Sequence, residues 1–309
     1  LRETAFLFTV VFMQTTHDMP VTLTIAGFDP SGGAGVIADV KTFRAFGCFA
    51  TAAVTSLTFQ NTTGVFGATH ASAADVRAQV LPVVEDFRVA ALKTGMLPTR
   101  EVITEVARLL RETPLREVGA IVDPVVRSTS GFDLIDDDAL AALKSELLPL
   151  ARLATPNIPE AERITGLEIR TEDDMRRAAA LMREMGARAV LVKGGHLAGD
   201  EAIDLLDDAD EVKLYRERRI ETDATHGTGC TLAAAIAACL ARGLNLRDSV
   251  GVAKRYVTAA IHSSPRIGRG FSPVNHNLRA QFDERGSVDI IEDWAVMPDA
   301  ERWARSDEQ

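Results

Sequence analysis

The run Leu232 to Leu240 is apolar almost all the way round a helical wheel, so a helix here has no face to offer to water and must be buried. Directly before it stands Thr225-His226-Gly227-Thr228-Gly229-Cys230-Thr231. Two glycines in a small polar loop ahead of a helix leave backbone N–H groups free at the positive end of the helix dipole, where an anion can be held. The loop therefore reads as a phosphate cradle, and the buried helix behind it aims it rigidly. Cys230 falls in the first turn, where the dipole favours thiolate over thiol and a proton can be taken up near neutral pH. The same residues also fit a small-residue helix start with an inert cysteine, so other stretches have to decide.

Val21 to Phe28 has the β-branched and apolar content of a buried strand and ends in Asp29-Pro30-Ser31-Gly32-Gly33-Ala34-Gly35, after which a helix runs to about Phe46. Gly33-x-Gly35-x-x-Ala38 formally matches the dinucleotide-binding fingerprint. That fold needs an acidic residue some way downstream for the ribose, yet no Asp or Glu occurs between Asp39 and Asp75, and Asp29-Pro30-Ser31 lengthens the turn. No Gly-Lys-Ser/Thr ending of a P-loop occurs anywhere, which excludes that phosphate-binding class as well.

Phe49 to Gln60 and Val65 to Thr69, joined by Asn61-Thr62-Thr63-Gly64, read as an edge or flap beside the main sheet. Beyond them, helical patterns at Ala74–Phe87, Arg100–Glu112 and Asp137–Leu148 alternate with strands at Val89–Lys93, Ala120–Val126 and Ala151–Thr155. This rhythm predicts an α/β domain, a mostly parallel sheet with helices on both faces. Ligands of such sheets bind outside the carboxyl ends of the strands. The polar residues there are Lys93-Thr94-Gly95-Met96, Asp123-Pro124, Thr155-Pro156-Asn157 and Lys193-Gly194-Gly195-His196. Each alone fits a turn, an N-cap or a hairpin approach. Together a carboxylate, an amide, a lysine and a glycine loop make a phosphate and metal toolkit, to which Glu160 adds a carboxylate able to reach magnesium through water.

Segments on either side of Asp207-Asp208-Ala209-Asp210 read as an antiparallel pair between Glu201 and Ile220, and Asp248 to Ser263 as a last amphipathic helix. Past about His276 the pattern degrades into an acidic, Trp-bearing tail. The division drawn is an extension over 1–20, one domain over 21–278 and a loosely docked or disordered tail over 279–309. Ala5 to Met13 is apolar but too short to span a bilayer as a helix, and no small-residue cleavage site follows it. It is read as a mis-called start or an extension, with Met13 and Met19 as alternative starts. A net charge of -10 disfavours nucleic acid and anionic membranes as partners and leaves a small molecule. Cys48, Cys230 and Cys239 lack zinc or disulfide spacing, which fits a reducing cytoplasm.

Taken in order, TIAGFDPSGGAG, ADVKTF, QNTTGV, KTGML, DPVV, TPNIPEAERITG, VKGGH and THGTGCTLAAAIAA resemble the hydroxymethylpyrimidine/phosphomethylpyrimidine kinases of thiamine biosynthesis, within the ribokinase-like superfamily. The resemblance runs from about Val21 to His276 and extends to related pyridoxal kinases. It implies a three-layer αβα fold, ATP and Mg²⁺, and transfer of the γ-phosphoryl group to a primary alcohol and then to the resulting monophosphate. It further implies that Gly27, Asp39 and Gln60 bind the aminopyrimidine while Met96 and Val125 line its pocket. Asp123 and Glu160 would orient magnesium, Asn157, Lys193 and Thr228 would bind ATP, and Gly227, Thr228 and Gly229 would form the anion hole. Cys230 would stand where related sugar kinases carry an aspartate base. The chain departs from the pattern at Thr129, where a lysine is usual, with Arg127 two residues earlier as the nearest cation. That lysine would neutralise an acceptor phosphate, so the departure bears on the second transfer. A homodimer is expected on the same resemblance. The competing readings are a pyridoxal kinase, a pyrimidine or nucleotide sensor without turnover, and, for want of the ribose carboxylate, a still weaker NAD-dependent oxidoreductase.

Overall fold

The computed structural model describes residues 19–126, 134–195, 197, 199–283 and 287–292. Arg127, Thr129, His196, the extension up to residue 18 and the tail from residue 293 lie outside the described residues. The first strand, β1 (Val21–Phe28), is followed by α1 (Gly35–Ala45), β2 (Phe49–Asn61), β3 (Gly64–His70), α2 (Ala73–Asp86) and β4 (Val89–Thr94). Then come α3 (Arg100–Glu112), α4 (Leu115–Val118), β5 (Ala120–Val122), α5 (Asp137–Ala142), β6 (Ala151–Ala154), α6 (Ile158–Thr165), α7 (Glu172–Glu184) and β7 (Val190–Lys193). The chain continues through β8 (Glu201–Asp207), β9 (Val212–Arg218), α8 (Thr228–Ala241), α9 (Leu246–His262), β10 (Leu278–Phe282) and β11 (Val288–Glu292).

Nine strands form one sheet in the order β3-β2-β1-β4-β5-β6-β7-β8-β9. From β2 to β7 every neighbour is parallel, while β3 pairs antiparallel with β2 at one edge and, at the other, β8 pairs antiparallel with β7 and β9 with β8. Strands buried on both faces need apolar residues at successive positions, and β5 shows the result: Ala120 and Val122 join one core cluster and Ile121 the other. The first cluster is closed by α2, α3, α6 and α7 through Val80, Val106, Ile164 and Met175. The second is closed by α1, α8 and α9 through Phe43, Ile236 and Tyr256. Helices therefore cover both faces, as the alternating pattern requires. Strand β5 stops at Val122, short of the expected Val126, because Pro124 has no N–H to give a neighbouring strand.

In α8 every side chain from Thr231 to Leu240 is buried, in keeping with its uniformly apolar sequence. The helix starts at Thr228, so Gly229 and Cys230 lie in its first turn. Among the described residues no helix is long and apolar enough to cross a membrane. The region expected to turn into tail behaves differently at its start. Strands β10 and β11 pair antiparallel, and Leu278, Ala280 and Val288 are buried in the cluster of α1, α8 and α9. Phe282 packs edge-on to Phe46 at 6.3 Å and lies under Arg242 at 4.5 Å. The packed body thus runs past the boundary drawn at 278, because alternate apolar residues of this hairpin cover a core that would otherwise face water.

Candidate active site

The carboxyl ends of β1, β4, β5 and β7 and the first turns of α6 and α8 open into a cleft of about 1010 Å³. Gly227 caps α8 with φ near 80°, in the left-handed region. A Cβ on it would lie 1.7 Å from the Gly33 carbonyl oxygen, so the Gly227 loop and the Asp29–Gly35 loop pack backbone to backbone. Asp29 ties them together. Its carboxylate accepts from Ser31 N–H at 2.8 Å, Gly33 N–H at 3.2 Å and Ala34 N–H at 2.8 Å, and meets His226 Nε2 at 2.8 Å. Burial alone would raise Asp29, yet the bonds from His226 and Ser31 hold it below the usual carboxylate range. This carboxylate occupies the anion position ahead of α1, which explains physically why the first glycine loop is not a dinucleotide cradle.

The second glycine loop is open. Thr231 N–H to Gly227 C=O, at 2.9 Å, is the first bond of the helix, and the Gly229 and Cys230 amides precede it. The N–H and hydroxyl of Thr228 both turn back onto Thr225 C=O, at 3.3 and 3.1 Å, so its side chain serves the loop itself. Facing the loop, Lys193 Nζ lies 2.9 Å from Asp123 Oδ1 and 4.0 Å from Glu160 Oε2. A Cβ on Gly229 would stand 3.0 Å from Lys193 Nζ and 3.9 Å from Asp123 Oδ2. The lysine, the carboxylate and the anion loop, all named from sequence, are thus one cluster. Asn157 caps α6 by accepting from Glu160 N–H at 2.9 Å, and Glu160 Oε2 accepts in turn from Asn157 N–H at 2.8 Å. Asn157 is both the N-cap and a cleft residue, since its amide nitrogen is left for the cleft.

The electrostatics of the cluster follow from burial. It pushes Glu160 up to about 7, against the pull of Lys193 and with the push of Asp123. Burial also works against ionised Asp123, but Lys193 and Lys93 outweigh it and keep that group below its ordinary range. Cys230 departs from expectation. Burial pushes its thiol up to about 11, more than Lys93 pulls it down, with Asp123 and Asp39 adding to the rise. The dipole alone predicted a thiolate near neutral pH; a desolvated site with two nearby carboxylates holds a thiol instead.

Asp39 also departs. It was expected to touch an aminopyrimidine, but it is fully buried beneath the cleft rather than among its lining residues. Its carboxylate accepts from Lys93 Nζ at 3.0 and 2.8 Å and from Thr24 Oγ1 at 2.6 Å. Lys93, fully buried, closes the cleft floor next to Gly95. Burial opposes its charge, but Asp39, Cys230 and Asp123 outweigh that and raise its pKa.

Gly27, Gln60, Met96 and Val125 do line the cleft together. A Cβ on Gly27 would come 3.2 Å from Met96 Sδ, so the glycine leaves room for the thioether. Gln60, at the end of β2, donates from Nε2 to Thr58 Oγ1 at 2.7 Å and keeps its carbonyl oxygen for other donors. Sequence reasoning missed three arrangements: the Asp29–His226 tie, Lys93 as the partner of Asp39, and Asp204. Asp204 accepts from Gly194 N–H at 3.0 Å and from Lys254 Nζ at 2.7 Å, fixing the chain just after Lys193. Lys93 had been singled out only as a strand-end residue.

A family model described as phosphomethylpyrimidine kinase matches residues 29–275. The hydroxymethylpyrimidine/phosphomethylpyrimidine kinase of Streptomyces coelicolor is 46% identical over 257 residues, covering 83% of this chain and 94% of that protein. The thiamine biosynthesis bifunctional protein ThiED of Geobacter sulfurreducens is 47% identical over 259 residues, 84% of this chain but 52% of that protein, so the chain spans about half of it. Among solved structures, phosphomethylpyrimidine kinase from Clostridium difficile superposes with a TM-score of 0.70 at 41% identity, covering 78% of this chain and 99% of that one. An ADP complex of Bacillus subtilis pyridoxal kinase gives 0.76 at 34% identity, covering 84% of this chain and 98% of that one.

Proposed function

The chain belongs to the phosphomethylpyrimidine kinase family, and from that membership we propose how its cleft moves a phosphoryl group from ATP to 4-amino-5-hydroxymethyl-2-methylpyrimidine and then to the monophosphate so formed. The observation that carries the reading is the cluster of Gly229, Lys193 and Asp123 at the mouth of a buried helix. Phosphoryl transfer through a loose transition state asks for placement and charge neutralisation more than for covalent help. The amides of Gly229 and Cys230 and the helix dipole face the transferring group, and Lys193 supplies a cation beside it. Asn157 meets the ATP phosphates through its amide nitrogen. Gln60, Gly27, Met96 and Val125 hold the pyrimidine ring, with the carbonyl oxygen of Gln60 accepting from the exocyclic amine.

Asp123 and Glu160 would hold magnesium, which when bound neutralises charge on the phosphate oxygens. The residues fit that ion. Both carboxylates are buried and flank one lysine. Among the described residues no cluster of three or more His, Cys, Asp or Glu could hold a metal alone, and magnesium characteristically completes one or two carboxylates with phosphate and water. Cys230 stands beside the amides as a thiol and accepts the alcohol proton only after ionising, so its loss should cost less than damage to the loop. We further assign the protein to the cytoplasm and to a homodimer. The dimer reading is supported by exposed Leu57, Phe59 and Phe66, which sit on the outer face of the β2–β3 edge while Thr58 and Gln60 turn to the cleft. Light scattering that gives the mass of a single chain would refute the dimer.

The test is ATP consumption with Mg²⁺, products followed by mass, with hydroxymethylpyrimidine, its monophosphate and pyridoxal as separate acceptors. Phosphorylation of both pyrimidine forms is the expected outcome. Reaction of the free alcohol alone would limit the enzyme to the first transfer, and preference for pyridoxal would overturn the assigned acceptor.

A further inference from the structure

The loop that follows α9 touches two walls of the cleft at once. On one side it grips the tip of the β2–β3 hairpin. Phe271 N–H donates to Thr62 C=O at 2.8 Å, while Arg269 and Gly270 N–H donate to Thr62 Oγ1 at 3.2 and 3.3 Å. The approach is so close that a Cβ on Gly270 would lie 2.0 Å from the Thr62 carbonyl oxygen. On the other side the same segment braces the anion loop: His226 N–H donates to Ser272 C=O at 3.2 Å, and His226 forms a parallel bridge with Pro273. Pro273 also stands against Gly33, where an added Cβ would come 2.9 Å from it. The segment is folded onto its own start, since Ser264 Oγ donates to Pro273 C=O at 2.9 Å and Ile267 N–H to Ser272 Oγ at 3.0 Å, and it is fixed to α9 just beyond, where Asn275 N–H donates to Ala260 C=O at 2.9 Å.

Gln60 and Val65, on either side of the gripped tip, line the acceptor end of the cleft, and His226 to Cys230 line its phosphoryl end. The geometry points to residues 268–273 as a strut that sets the distance between acceptor and anion loop, with Thr62 as a positioning residue that touches neither substrate. This rests on the kinase reading above. In-line transfer tolerates little error in that distance, since a misplacement of about 1 Å far from the chemistry can cost about a hundredfold in rate. A grip made through the backbone and one hydroxyl is specific to Thr or Ser at position 62.

Thr62→Val keeps the shape and removes the acceptor of two N–H groups; Thr62→Ser keeps that acceptor; Gly270→Ala forces the strut off the tip. The expected result is a loss in kcat/KM for hydroxymethylpyrimidine of about tenfold in Thr62→Val, with its KM for ATP unchanged, and a larger loss in Gly270→Ala, while Thr62→Ser stays within about twofold of wild type. Unchanged acceptor kinetics in Thr62→Val, or an equal rise in the KM of both substrates, would overturn the proposal. Amide hydrogen exchange of the substrate-free protein gives a readout that does not depend on which acceptor is used. In Gly270→Ala, exchange should quicken both at 58–66 and at 225–231, whereas a change confined to the hairpin would overturn the strut. A wild-type enzyme inactive on the pyrimidine would fail the assigned acceptor and leave the exchange result to decide the strut.

Discussion

Gly227→Ala should separate two loops that the reaction needs in contact. The added methyl meets the Gly33 carbonyl oxygen at 1.7 Å, whereas ordinary contact begins near 3.4 Å, so one loop must retreat by about 1.7 Å. Gly33 has no room to give, because it is itself closed in by His226 Cδ2 and Pro273 Cβ, which would lie 2.4 and 2.9 Å from a Cβ placed on it. Alanine at a φ near 80° adds about 1–2 kcal/mol of backbone strain. Pulling His226 from Asp29, now 2.8 Å apart, would forfeit a charge-assisted bond of about 1.5–3 kcal/mol. A destabilisation of about 3–5 kcal/mol follows, or a fall in Tm on the order of 10 °C for a body of this size. Turnover of the folded fraction should drop at least about a hundredfold, since the amides move by more than 1 Å from the transferring group. Scanning calorimetry and initial-rate phosphorylation on the same preparation separate the two effects. Gly229→Ala serves as the companion, because its methyl would meet only the flexible end of Lys193, at 3.0 Å, so it should keep Tm and lose rate. Wild-type turnover and Tm in Gly227→Ala would refute the idea that backbone contact between the loops builds the cradle.

Three further outcomes are expected. Asp39→Asn leaves Lys93 charged and buried without its partner and should cost about 3–5 kcal/mol in denaturant unfolding, with part recovered in an Asp39→Leu, Lys93→Met double variant; an unaltered midpoint would discount the pair. Glu160 has a folded pKa of about 7 against an ordinary 4.5, so the fold favours its protonated form. The stability it contributes is complete below about pH 4.5 and is lost as pH rises through about 7, by on the order of 3 kcal/mol. Glu160→Gln should flatten that slope in unfolding curves from pH 5 to 8, and an unchanged slope would contradict it. If Cys230, with its thiol near 11, takes the alcohol proton, kcat/KM for the pyrimidine should climb about tenfold per unit between pH 7 and 9 and lie flat in Cys230→Ala; identical profiles would remove Cys230 as the base.

What could be read from the sequence was local. Helix α3 begins and ends where its pattern puts it, at Arg100 and Glu112, because its N-cap, Thr99, and its apolar spacing all lie within one short stretch. The anion loop was equally plain, its glycines and its buried helix being neighbours in the chain. Asp39 was not legible, since its partner Lys93 is 54 residues away and nothing near Asp39 says that it points into the sheet rather than the cleft. Asp204 and Lys254, 50 residues apart, are hidden for the same reason. Cys230 was not legible either: the dipole is a property of the helix, but desolvation and the nearness of Asp123 and Asp39, which push the thiol up, are properties of the fold. The β10–β11 hairpin was masked by the acidic residues around it, although Leu278 and Ala280 alternate as a half-buried strand should.

The bond between Asp29 and His226 joins residues 197 apart in sequence. On a ribosome adding about 5–20 residues per second, Asp29 waits on the order of 10–40 s before His226 has even been made. By the end of that interval α1 and all nine strands of the sheet have been made, but α8, which packs on the β1, β4 and β5 side of one face, has yet to emerge. One face of the growing sheet thus has only α1 on it until the last strand has been made, which makes the nascent chain a natural client for chaperones, and activity can arise only once nearly the whole body has been translated.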